Sequence, residues 1–268
     1  MKSVYLAATF ALIVLTGKGI AHEFWIDPED YTLAAGEPLL GDLRVGQDFS
    51  GAALSYLPRN FETFDVIADG EALPVDGRLG DVPALNVAEL PAGLAVVVHQ
   101  TAGQTITWSE WERFLNFANH KDLGDVTAMH VDRELSQDDV TEDYIRYAKS
   151  LVAIEYGTGA DRRVGLRAEL VALTNPYMGE TGDGMRMELW YDGALQPDYQ
   201  VELFAEDDDG DVEITLHRTD GDGIVTLPVE PGITYMADAV FLEPVEPSTE
   251  GGAIWVTHWA NMTFAVPE

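Results

Sequence analysis

Six histidines are the side chains of this sequence best suited to chemistry: His22, His99, His120, His130, His217 and His258. No pair has the H-x-H or H-x-x-x-H spacing of a local metal site, so any site they make must be assembled by folding. His22 stands apart because of what precedes it. Met1-Lys2 gives a positive start, residues 4–17 are apolar apart from Thr9 and Thr16, and Gly19-Ile20-Ala21 places small residues where a signal peptidase needs them. Cleavage after Ala21 makes His22 the first residue of an exported chain. A terminal histidine can grip one metal ion with both its α-amino nitrogen and its imidazole. The amine, with an ordinary pKa of about 7.7–8.0, gives up its proton more readily than lysine does.

His22 is therefore expected to be the primary metal ligand, with His130 the best third donor and His99 the next. Glu23 or Asp27 would supply charge or orientation. Strand alternation sets both acids on the face opposite His22, which disfavours direct ligation by either. His258 shares a face with Val256, Ala260 and Met262 and reads as a hydrogen-bonded core residue. His120, beside Lys121, and His217, beside Arg218, read as surface residues.

The sequence contains no cysteine, which excludes thiolate metal sites, thiol nucleophiles and a disulfide framework. A metal here is held by nitrogen and oxygen, as suits nickel, cobalt, copper or zinc. The 268 residues carry 15 basic and 47 acidic side chains. Removing residues 1–21 leaves 13 basic against 47 acidic, a net charge of −34. Such a surface repels nucleic acid and anionic lipid and attracts cations. The acidic run Glu206-Asp207-Asp208-Asp209-Gly210-Asp211 fails the calcium-loop pattern and reads as a solvated hairpin tip. No P-loop, G-x-G-x-x-G or G-x-S-x-G occurs, so nucleotide and serine-hydrolase chemistry lack support, and no enzyme activity is expected. Beyond the leader, no stretch reaches the length of a membrane span.

The elements that must position these residues read as mainly β. Residues 22–26, 31–34, 39–45, 64–68 and 93–99 alternate as strands between turn signals such as Asp69-Gly70. Residues 108–150 have a different texture. Ser109-Glu110-Trp111-Glu112 matches a capping box, a second short helix around 125–133 carries His130, and Thr141 with Tyr144, Ala148 and Leu151 reads as a third. Strands resume from Leu151 and continue to residue 266, with Asp192-Gly193 and Asp220-Gly221-Asp222-Gly223 as connections. The predicted architecture is two β-sandwich domains, immunoglobulin-like or prealbumin-like, spanning 22–162 with a helical insertion at about 108–150, and 163–268.

His22-Glu23-Phe24-Trp25-Ile26-Asp27-Pro28 and Leu43-Arg44-Val45-Gly46-Gln47-Asp48-Phe49-Ser50-Gly51 resemble the opening of a family of exported proteins. The likeness continues through residues 144–151 and Thr174-Asn175-Pro176-Tyr177, and ends with Trp259-Ala260-Asn261-Met262-Thr263-Phe264. The family is that of the NikK-like nickel or cobalt uptake components, which carry a domain-of-unknown-function label. The resemblance implies a β-rich periplasmic protein, with an immunoglobulin- or prealbumin-like second half, that works with a metal-uptake transporter of the inner membrane or an outer-membrane receptor. It implies nickel or cobalt as the ion, with copper or zinc as alternatives. Two other readings compete: a metal-free adaptor module, and a copper oxygenase with a histidine brace.

Overall fold

The computed structural model describes residues 23–179 and 181–268. Position 22, the expected primary ligand, and the expected leader lie outside the described residues. The first half contributes β1 (Glu23–Pro28), β2 (Thr32–Leu33), β3 (Leu39–Gln47), β4 (Ser50–Leu54), β5 (Phe61–Ala68), β6 (Glu71–Pro74), β7 (Leu85–Val87) and β8 (Gly93–Thr101). Then come β9 (Gln104–Trp108), helices α1 (Trp111–His120) and α2 (Val126–Asp132), and the long β10 (Val140–Ile154). The second half adds β11 (Ala168–Ala172), β12 (Met185–Tyr191), β13 (Ala194–Leu195), β14 (Gln200–Glu206) and β15 (Val212–Arg218). It ends with β16 (Ile224–Leu227), β17 (Thr234–Pro244) and β18 (Trp255–Ala265).

The chain is mainly β, as expected, but a ten-stranded sheet runs through both halves in the order β15-β14-β17-β18-β10-β8-β5-β6, with β2 and β9 also on β10. The boundary expected at 162/163 falls in the loop between β10 and β11. The sheet continues across it because β10 pairs parallel with β18 and antiparallel with β8.

Two smaller sheets cover this central one. β11, β12, β13 and β16 lie on one face, burying Leu151, Leu203, Ala237, Ala260 and Met262 against Leu170, Met187 and Val225. The other face is covered in two parts. β1, β3, β4 and β7 pack Phe24, Ile26 and Leu39 over Val97, Ala148 and Val152. Farther along the same face, α1 and α2 lay Phe114, Ala118 and Val126 against Val240, Trp255 and Trp259.

Two local expectations are corrected. The stretch from Thr141 is strand β10, and no third helix forms. Residues 147–154 are all buried, so a strand covered on both faces loses its two-residue alternation, and Tyr144, Ala148 and Leu151 happen to fall at helical intervals. The Ser109 capping box is absent as well. α1 begins after Glu110, whose side chain makes no cap bond, whereas α2 is capped by Asp125 accepting from the Ala128 amide at 2.9 Å.

Asn175-Pro176-Tyr177 works as a clamp. Asn175 Nδ2 donates to the carbonyls of Gly157 at 2.8 Å and Gly159 at 3.0 Å, while Tyr177 Oη donates to Leu151 O at 2.6 Å. The β3–β4 hairpin approaches β1 so closely that a Cβ on Gly51 would stand 2.4 Å from Val45 O and 2.8 Å from Trp25 Cη2. Gly51→Ala is expected to cost about 1–3 kcal/mol through overpacking. A lower urea midpoint at unchanged slope is the expected result, and an unchanged midpoint would show that both the Val45 backbone and Trp25 have room to move.

Candidate functional site

The histidines that folding was expected to gather are placed apart. His99 lies in a box of Phe24, Phe61 and Phe64, with ring centroids 4.9, 5.4 and 5.1 Å away. Neither of its ring nitrogens has a hydrogen-bond partner, and burial lowers its pKa to about 3. His130 is stacked among Trp111 and Trp255, with Nε2 2.9 Å from the Ser136 carbonyl and Nδ1 unpartnered. The two share no ring neighbour. Among the described residues, no three His, Asp or Glu side chains are arranged to hold a metal ion.

His258 is a hydrogen-bonded core residue. Tyr147 Oη lies 3.1 Å from Nδ1, and Arg167 Nη1 donates to Nε2 at 3.1 Å. Burial, reinforced by the Arg167 charge, lowers its pKa to about 4. His217 meets Thr215 Oγ1 at 2.8 Å on β15. His120 is exposed, yet its Nε2 is 3.2 Å from Glu202 Oε1, which links it to a cluster not anticipated from the sequence.

That cluster begins with a polar row crossing an otherwise apolar sheet. Cross-strand partners share a face, and Glu202 on β14 pairs with Asp238 on β17, Asp238 with Asn261 on β18, and Asn261 with Ala148 on β10. Continuing the β8–β10 register beyond its last pair, Leu151↔Val96, brings His99 opposite Ala148. The Arg146 amide, donating to Thr101 Oγ1 at 2.9 Å, holds that continuation. The row lies at the seam between the two coverings: Phe204 and Met236 beside it pack on Trp25 and Phe49, and Val240 and Trp259 on its other side pack under the helices.

Lys121 closes the seam. It caps the C-terminal end of α1, where a cation suits the helix dipole, and its Nζ donates to Glu202 Oε2 at 2.7 Å, Asp238 Oδ2 at 3.0 Å and Glu23 Oε1 at 3.4 Å. The ammonium also lies 5.0 Å from the Trp259 ring centroid. Lys121 is only 4% exposed and Glu202 2%. Burial pulls the Lys121 pKa down, but the three carboxylates outweigh it and hold it above the ordinary lysine range. Burial likewise raises Glu202, and raises Glu23 to about 7 against the pull of Lys121.

Farther along the face, Arg146 stacks on Tyr144 with its guanidinium 4.4 Å from the ring centroid, and Glu142 accepts from Trp108 Nε1 at 2.8 Å and from Thr257 Oγ1. Burial raises Glu142 to about 7.

The remaining signal is what the cluster leaves unpaired. Glu23 Oε2, Asp238 Oδ1 and both amide atoms of Asn261 are buried without a hydrogen-bond partner. Sequence reading passed over Lys121, Glu202, Asp238 and Asn261. A signal was present: Asp238 interrupts Tyr235-Met236-Ala237 and Ala239-Val240-Phe241, an acid inside a strand buried on both faces.

Replacing Lys121 by Met keeps its bulk and leaves three buried carboxylates without their cation. The expected cost at pH 7.5 is about 3–5 kcal/mol. Burial already raises Glu23 and Glu202, and without Lys121 these two titrate further above their unfolded values, so the deficit shrinks as pH falls towards 5 and they take up protons. Urea denaturation at both pH values checks this, and a deficit independent of pH would mean that lost packing dominates. His99→Leu addresses a shift of opposite sign. The wild-type ring is neutral when folded, so its contribution is complete above the unfolded value of 6.5 and is lost as pH falls towards about 3. The stability difference between variant and wild type should move in favour of the variant below pH 6.5. A constant difference would show that His99 titrates normally.

A family profile described as "Domain of unknown function (DUF4198)" matches residues 20–243. No curated protein matches the chain. A solved structure titled "Crystal structure of tetra-tandem repeat in extending region of large adhesion protein" aligns with 92% of this chain and 50% of its own, at 13% identity and a TM-score of 0.19. This chain thus spans half the length of that structure, and so low a score carries no argument about fold or function. The family profile covers most of the chain, which belongs to the DUF4198 family of domains of unknown function.

Proposed function

We propose that the protein is an exported, periplasmic transition-metal-binding component of a nickel or cobalt uptake system, and that it takes its cargo ion at the start of β1. The observation that carries the reading is the position of Glu23. It is the residue after His22, and its carboxylate already sits inside a buried cluster of three acids and one lysine. A processed His22 would bring an amine and an imidazole to the edge of the region with the greatest excess of buried negative charge among the described residues. Stretches of the NikK-like resemblance also meet here: Glu23 from the first, Arg146 from the middle and Trp259 with Asn261 from the last. Nitrogen donors beside carboxylates suit the first-row divalent ions, and the overall charge concentrates cations near the surface. In this reading the protein is non-catalytic and hands its ion to a membrane transporter or receptor.

The test uses chain processed after Ala21, titrated with nickel and with cobalt by calorimetry. One ion per chain is expected. His22→Ala, and separately one additional residue ahead of an intact His22, should each weaken binding by more than the roughly 10–100-fold that loss of a supporting partner costs. Wild-type affinity in both forms would refute the reading, and so would the absence of stoichiometric binding by the processed protein, as an adaptor module would show.

A further inference from the structure

We infer that β15 is the contact surface for a second copy of this chain, the two β15 strands pairing antiparallel about a two-fold axis at Thr215. This goes beyond the metal-binding reading and does not depend on it. β15 ends the ten-stranded sheet, and among the described residues only β14 pairs with it. The opposite edge, β6, has four residues and finishes on Pro74, which blunts it. β15 carries no such guard: its seven residues include no proline, glycine or lysine, and its register with β14 is unbroken. Arg218, its one permanent cation, is turned back to Asp122 at 2.6 Å and Asp198 at 2.8 Å. Ile214 and Leu216 are 39% and 57% exposed, on the face they share with Phe204.

The open edge matches itself. Main-chain bonds at both ends of the β14–β15 ladder fall on odd-numbered residues: Asp207 N donates to Asp211 O at 3.2 Å and Thr219 N to Tyr199 O at 3.0 Å. Antiparallel alternation therefore turns the N–H and C=O groups of Val212, Ile214, Leu216 and Arg218 to the open side. With the axis at Thr215, Ile214 faces Leu216 of the second copy and Val212 faces its Arg218, so outward groups meet outward groups along the whole strand. Ile214 and Leu216 of both copies then form one apolar strip. On the other face Glu213 stands opposite His217 of the second copy and Thr215 opposite its own counterpart, pairings that stabilise neighbouring strands. An axis at Ile214 takes Glu213 away from His217, and one at Leu216 sets Ile214 against Arg218. Two chains of net charge −32 repel at a distance, so salt should favour this contact by screening, whereas it would release a basic partner.

Sedimentation equilibrium of the processed protein should show a reversible monomer–dimer equilibrium, since an edge contact is small. The dimer should tighten several-fold between about 50 and 500 mM sodium chloride. Leu216→Pro removes only an outward N–H, and Ile214→Lys places a charge in the apolar strip. Each should be monomeric at every concentration with unchanged far-ultraviolet circular dichroism. Should Leu216→Pro fail to fold, Ile214→Lys, at an exposed position, still decides the matter. The register is tested by cross-linking, because the chain has no cysteine of its own. At the axis the two Thr215 Cα atoms form a non-hydrogen-bonded pair about 4.5 Å apart, within reach of a disulfide. Oxidised glutathione should therefore convert Thr215→Cys to a covalent dimer. Glu213→Cys, whose two copies are out of step across the axis, should stay unbridged. A dimer that survives Ile214→Lys or is weakened by salt, or bridging by Glu213→Cys as complete as by Thr215→Cys, would overturn the assignment. So would a wild type that stays monomeric, which would leave the edge to a strand of another protein.

Discussion

The ammonium of Lys121, enclosed by Glu23, Glu202 and Asp238, is the contact on which the rest of the arrangement depends. It joins four elements distant in sequence: the start of β1, the end of α1, and the neighbouring strands β14 and β17. Each is placed by its own apolar packing, and they meet where the two coverings of the central sheet leave a seam. Desolvating four charges is expensive, and the Coulomb attraction recovers that cost only where geometry is good and the remaining lone pairs are satisfied. Here the remaining lone pairs are not all satisfied. The cluster is therefore poorly explained as a device for stability alone.

The polar row crosses the sheet at a cost in stability. A leucine at position 261 would suit a strand whose neighbours are Ala260 and Met262, and an apolar side chain would suit position 238 between Ala237 and Ala239. The polar residues there place charge inside a low-dielectric seam, where electrostatic interactions are stronger than at the surface. The surrounding aromatics stiffen the walls. Trp259 lies under Lys121, Phe117 stacks on Trp259 at 5.6 Å, and Trp108 stacks on Phe117 at 5.5 Å. The helical insertion thus carries its cation to the sheet on a rigid aromatic support.

The β character was readable because turn pairs such as Asp192-Gly193 and Asp69-Gly70 adopt the positive φ values that tight hairpins need, with alternating strands around them. The alternation of β1 was readable too: Phe24 and Ile26 enter one cluster and Trp25 another. What escaped was long-range. β10 is buried on both faces and lost its period, so its stretch from Thr141 to Ser150 read as a helix and only its end from Leu151 as a strand, and the sheet that joins the halves went unseen. The cluster escaped for the same reason. Glu23, Lys121, Glu202, Asp238 and Asn261 come together only through the pairing of β10 with β18 and of β17 with β14, and no local spacing encodes that. Histidine was the residue type to search for on chemical grounds. The structure directs attention instead to acids and an amide lodged where apolar side chains belong.

Crystals of the processed protein soaked in nickel, measured with X-rays tuned to the nickel absorption edge, locate the ion by its own anomalous scattering. The account predicts one strong peak at the head of β1, next to Glu23, with Lys121 still in place among its three carboxylates. A dominant peak at His99, at His130 or on the acidic turn at residues 206–211, with none at the seam, would contradict it.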